Sequence, residues 1–75
     1  MKLWELARGV DGRVTEVDGK DALTARLGDL GFVRGTRVRV DRIISGGELY
    51  AVTLRGYTLT LRRGDADAIT VRCDS

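Results

Sequence analysis

Leu49-Tyr50-Ala51-Val52-Thr53-Leu54-Arg55-Gly56-Tyr57-Thr58-Leu59-Thr60-Leu61-Arg62 is the stretch on which the fold turns. Tyr50, Val52 and Leu54 recur at every second position, and so do Tyr57, Leu59 and Leu61. Successive strand side chains point to opposite faces, so each triplet lines one face. Arg55-Gly56 between them reads as a two-residue turn, because glycine takes positive φ without penalty. The stretch therefore predicts a hairpin of strands 49–54 and 57–62, with Tyr50 and Tyr57 both on core-facing sets.

Outward from this hairpin the pattern continues. Thr36 to Ile44 reads as a strand with Val38 and Val40 on one face and Arg37, Arg39 and Asp41 on the other. The adjacent Ile43-Ile44 breaks that alternation, which a bulge there or a strand covered on both faces would explain. Ser45-Gly46-Gly47-Glu48 forms the next hairpin turn. Downstream, Gly64 to Ala68 has room for one helical or 3-10 turn, and Ile69, Val71 and Cys73 alternate as a closing strand. Upstream, Asp21 to Leu30 predicts a helix, since Leu23, Leu27 and Leu30 fall on one face. Asp21 is the expected N-cap, and Gly31 stands where a left-handed residue closes a helix. Gly28 inside it costs roughly 1 kcal/mol against alanine. Gly12 to Val17 is a further strand, with Val10, Gly12 and Val14 on one face and a turn at Gly19. Leu3, Trp4 and Leu6 suit one helical turn that plugs the end of a barrel, ended by Gly9.

The chain has 75 residues, no proline and 10 glycines, so glycine supplies the punctuation between short strands. Five such strands are too few for a large sandwich, and a small bent barrel removes most exposed edges. The expected architecture is mostly β: an SH3-like barrel of about five strands with one inserted α-helix and short terminal helical turns, forming one domain over residues 1–75.

Composition excludes much chemistry. Histidine is absent, which removes the commonest metal ligand and the commonest general base together. A single cysteine, Cys73, allows no internal disulfide and suits a reducing compartment. Neither Ser45 nor Cys73 has a histidine to activate it. Gly46-Gly47 is followed by Glu48, not by the Lys-Ser/Thr that grips phosphate and Mg²⁺. Cysteine pairs for zinc are lacking. Asp65 and Asp67 can hold a hard cation weakly or serve simply to solvate a turn. No catalytic residue, no metal ligand and no cofactor is expected. A formal charge of +2 is too mild to demand nucleic acid, and the aromatics that would stack bases are few. The apolar runs are too short for membrane insertion, and no signal-peptide core follows Met1-Lys2, so the expected location is cytoplasmic.

Four stretches resemble, in order, the pattern of the FeoA family. Leu3, Leu6, Gly9, Gly12 and Val14 are similar to its "L-x-x-L-x-x-G-x-x-G-x-V" start. Leu30-Gly31-Phe32-Val33-Arg34-Gly35-Thr36-Arg37-Val38-Arg39-Val40 resembles its "MGL-x-PG-x-x-V-x-V" segment. Arg55-Gly56-Tyr57-Thr58-Leu59-Thr60-Leu61-Arg62 resembles its "G-x-x-I-x-L-R" strand pair, and Ala66, Ala68, Ile69 and Val71 its closing "A-x-x-I-x-V". Leu30 replaces a frequent methionine and Arg34 a frequent proline. The resemblance implies a small cytoplasmic SH3-like domain that accompanies FeoB, the GTPase-linked membrane transporter of ferrous iron. It implies a non-enzymatic accessory that docks on the transporter's cytoplasmic part. The alternative is a stand-alone metal-responsive or oligomerising SH3-like regulatory module.

Two features are candidates for contact. Arg37 and Arg39, extended by Arg34, Arg55, Arg62 and Arg63, form an arginine face that suits an acidic partner or lipid headgroups, or else a solvated strand face. Leu30, Phe32 and Val33 are more apolar than a loop needs, so they form a binding patch or seal the helix end. The expected partner-binding residues are Leu30, Phe32, Arg34, Arg39 and Arg55.

Overall fold

A computed structural model describes residues 1–74. Five strands form one antiparallel sheet: β1 (Asp11–Val17), β2 (Arg37–Ile44), β3 (Leu49–Leu54), β4 (Tyr57–Arg62) and β5 (Ile69–Cys73). Helix α1 (Asp21–Leu30) lies between β1 and β2, and helix α2 (Arg63–Asp67) between β4 and β5. A 3-10 turn covers Leu3–Glu5. The sheet order is β4-β3-β2-β1-β5, so the chain meanders from β1 to β4 and then crosses back to lay β5 beside β1.

Two bulges bend the sheet around its core. The register shifts between Val40 and Arg42 on β2 and between Val14 and Glu16 on β1. An unpaired residue in one strand increases local twist and curves it. The irregularity expected at Ile43-Ile44 thus sits at Asp41, ahead of them. Beyond it the β2 residues lose the in-out phase of Val38 and Val40, and Ile43 turns half exposed to solvent. The concave face carries the core: Val14, Val38, Val40, Val52, Leu54, Ile69 and Val71 are all buried.

The open side between β4 and β5 is closed by short elements. Helix α2 packs against β3, β4, β5 and the N-terminal turn. Lys2 N–H donates to Glu5 Oε1 at 2.7 Å, which starts that turn and aims Leu3 inward. Val71 N–H donates to the Met1 carbonyl at 2.8 Å, and Lys2 bridges Thr70. The first residues therefore cover the outer edge of β5. Trp4 Nε1 donates to Asp67 Oδ1 at 2.8 Å, and the Arg63 guanidinium lies 4.1 Å from the Trp4 ring centroid. Asp65 pairs with Arg26 of α1 at 3.3 Å. The two acidic side chains of this turn thus tie it to the neighbouring elements.

Helix α1 opens differently from expectation. Lys20 is the N-cap, without a side-chain cap, and Asp21 is already helical. The preceding loop is held instead by Thr24, whose hydroxyl donates to the Gly19 carbonyl at 3.1 Å and accepts from Gly19 N–H at 3.2 Å. Asp21 retains its favourable place near the positive end of the helix dipole. The close is as expected. Gly31 has φ 108°, and Phe32 N–H returns to the Leu27 carbonyl at 3.0 Å. This brings Phe32 into the core beside Leu27.

Candidate interaction surface

The surface begins at the end of α1. A β-carbon on Gly31 would lie 2.9 Å from Arg55 Cδ and 3.3 Å from Leu54 Cδ1. The β3–β4 turn can therefore rest on the helix end only because residue 31 has no side chain. That turn has positive φ at both central residues, 49° at Arg55 and 85° at Gly56, the geometry that matches the twist of the flanking strands. Arg55 is strained in this conformation, and its aliphatic stem is braced across Gly31. Tyr57 follows, and its hydroxyl donates to the Leu30 carbonyl. The last carbonyls of a helix lack intrahelical donors, so the phenol satisfies one of them.

Leu30, Arg55 and Tyr57 thus form one continuous surface, with Val33 45% exposed beside the helix end. Tyr57 was expected in the core and is 41% exposed. The inward face of β4 runs from buried Leu61 through half-buried Leu59 to Tyr57. The core ends before the turn, so the tyrosine covers the helix end rather than filling the interior. A groove of about 500 Å³ between α1 and β4 runs along this surface, lined by Arg26, Leu30, Leu59, Arg62 and Asp65.

The expected contact residues separate. Arg55 shares a cleft with Arg39, Arg37 and Asp11. Arg34 lies away from it, beside Arg13 and Arg72. Phe32 is corrected: it is 1% exposed and belongs to the core, so it cannot meet a partner in this fold. Its apolar character seals the helix end. Tyr57 is the residue the sequence reading left out. The available signal was its place just after a two-residue turn, where a helix end with unsatisfied carbonyls needs a donor.

Arg39 is partly committed. Its Nε donates to Asp41 Oδ1 at 2.7 Å, and Asp41 also accepts from the Thr53 hydroxyl, which lies 2.8 Å from that of Thr58. The Thr53 hydrogen bond, then Arg39, holds the Asp41 carboxyl below its usual range, and Asp41 raises Arg39 in return. A carboxyl lowered by folding adds stability above its unfolded pKa, and loses it as pH falls through the folded one. Asp41→Asn is therefore expected to flatten the fall of Tm below about pH 4 and to leave its slope between pH 6 and 8 unchanged. Thermal melts followed by circular dichroism across pH check this.

Among the described residues, no three Cys, Asp or Glu side chains gather as metal ligands. No described helix is long and apolar enough to cross a membrane.

Residues 1–73 match the family model described as the FeoA domain. The chain belongs to the FeoA family. Among solved structures, the FeoA protein of Chlorobium tepidum is 41% identical at a TM-score of 0.91, over 100% of this chain and 71% of that one. The FeoA of Stenotrophomonas maltophilia is 33% identical at 0.85, over 96% of this chain and 89% of that one. It is described as a zinc complex of a prokaryotic SH3 domain protein, with a suggested role as a bacterial ferrous iron transport activating factor. A manganese-dependent transcriptional repressor shares the fold at 24% identity and a TM-score of 0.87, where this FeoA domain covers 36% of the longer chain. No curated protein matches the chain. The SH3-like fold is thus that of the FeoA proteins, with α1 as its inserted helix.

Proposed function

We propose that this FeoA-family chain is a non-enzymatic accessory of ferrous iron uptake. It acts at the cytoplasmic face, docking on the cytoplasmic part of a FeoB-like, GTPase-linked transporter. The observation that carries the reading is the surface where the strained Arg55 turn lies on the end of α1. It offers exposed apolar area at Val33 and Tyr57, next to half-buried Leu30, beside the Arg55 cation. An apolar centre with arginine and tyrosine is the composition that carries binding energy at protein interfaces. Arg39, in the cleft it shares with Arg55, would meet acidic side chains of the partner. The suggested role of the Stenotrophomonas relative in activating ferrous iron transport agrees with this assignment.

The test is titration of the chain with the transporter's soluble cytoplasmic part, in both nucleotide states, at low salt. Saturable binding is expected, weakened at least about tenfold by Leu30→Glu or Arg55→Glu, or roughly 1.4 kcal/mol. Absence of binding in either state would sink the proposal. Binding that both variants leave intact would place the contact elsewhere.

A further inference from the structure

Four arginines gather at one corner of the sheet's outward face. The register sets Arg13 of β1 directly opposite Arg37 of β2 on one side and Arg72 of β5 on the other. Arg34, in the loop after α1, joins Arg13 and Arg72 around a hollow of about 380 Å³ that also includes Thr15 and Gly35. The backbone makes its frame. Arg13 donates to the Gly35 carbonyl at 3.0 Å, Gly35 N–H to the Val14 carbonyl at 2.7 Å, and Val14 N–H to the Thr36 carbonyl at 2.9 Å. The loop that carries Arg34 is therefore fastened to β1.

Counter-charge is scarce at this corner. Asp74 lies 3.2 Å from Arg13 Nε and 3.7 Å from Arg37 Nε. Among the described residues no ion pair reaches Arg34 or Arg72. Four arginines against Asp74 and the neighbouring Asp11 leave two positive charges here, as much as the formal +2 of the whole chain. Like charges directly opposite on neighbouring strands cost stability. A sheet face that served only solubility would intersperse the two signs.

Such a concentration of cations draws in an anion. Guanidinium forks bind phosphate oxygens through paired, charge-assisted hydrogen bonds. A phosphate monoester carries about −1.5 to −2 and a lone carboxylate half of that or a little more, so phosphate matches the local charge better. No aromatic side chain lines the hollow, which leaves nothing for a nucleobase to stack on.

We propose that the hollow framed by Arg13, Arg34 and Arg72 binds a phosphate-bearing ligand of at least two negative charges, with Arg37 adding attraction from alongside. Phosphate groups reach it either as a soluble phosphate or diphosphate ester or as membrane headgroups. Arg13, Arg34 and Arg72 stand apart from the proposed docking surface at Arg55. The test uses this chain alone, so its outcome and that of transporter docking are independent.

The full chain is titrated with sodium pyrophosphate at low ionic strength and followed by amide chemical shifts. Saturable shifts at Thr15 and Gly35 are expected, together with a rise in Tm. Arg72→Gln should weaken binding at least about tenfold, as expected for loss of one paired charged contact. Arg62→Gln, outside the hollow, should leave the affinity unchanged. Co-sedimentation with phosphatidic acid vesicles, whose headgroup is a phosphate monoester, but not with phosphatidylcholine vesicles, and its loss in Arg72→Gln would assign the phosphate to lipid. The proposal fails if neither pyrophosphate nor anionic vesicles bind. It fails equally if Arg34→Gln/Arg72→Gln, folded by circular dichroism, binds as the parent does. Binding of a glutamate-rich peptide alone would overturn it in favour of an acidic protein partner.

Discussion

Phe32→Ala is expected to lower the stability of this domain by ~3–5 kcal/mol. The phenyl ring is among the largest fully buried side chains, just past the Gly31 helix cap and packed into the main core. Its removal loses transfer free energy and leaves a void that a small domain relaxes around only partly. Native stability runs at roughly 0.05–0.15 kcal/mol per residue, so the loss is a large share of the total. Urea denaturation followed by circular dichroism measures it, and Phe32→Leu should recover part of it. A loss under about 1 kcal/mol, typical of surface positions, would contradict the buried placement. It would return Phe32 to the contact surface on which its loop position in the sequence had put it. Partner binding by the folded fraction of Phe32→Ala should match the parent, because the ring is not exposed.

Leu3→Ala is expected to cost ~2–5 kcal/mol, far more than a residue near a chain end usually does. Terminal residues are normally poorly ordered unless tied down. Here Leu3 is 0% exposed, in the 3-10 turn that α2 holds against the open side of the sheet. Loosening that turn also frees the edge of β5. The Val71 amide, now bonded to the Met1 carbonyl, should then exchange with solvent faster by native-state hydrogen exchange. Met1→Ala, at a half-exposed side chain, serves as the comparison and should stay within about 0.5 kcal/mol. Equal effects for the two substitutions would show that the N-terminal turn is not docked in solution.

The strands were legible because alternation and glycine turns agree along the chain. The β3–β4 hairpin and α1 have the boundaries read from the sequence. The errors cluster where neighbours in space, not neighbours in sequence, decide. Alternation placed Tyr57 with Leu61, and the two do share a face of β4, but that face outruns the core at the turn. The bulge lies at Asp41, where the carboxylate accepts from Arg39 on its own strand and from Thr53 on the neighbouring one. Asp21 carries a capping side chain, yet Thr24 holds the loop ahead of the helix. The candidate site was half legible. Leu30 and Arg55 lie on separate stretches, and Gly31, with no side chain, lets the Arg55 turn rest on the helix end that Leu30 closes.

The sequence by itself determined the local elements, the family pattern, and the lack of histidine and of paired cysteines. Those properties depend on residue type and short spacing alone. Only the tertiary structure decided which apolar residues are surface and which are core. Exposure depends on where the bent sheet stops and what covers it, as Phe32 and Tyr57 show in opposite directions. It also decided that Arg13, Arg34 and Arg72, scattered along the chain, stand around one hollow. Strand register and the crossover to β5 set that juxtaposition, and neither leaves a trace in local sequence.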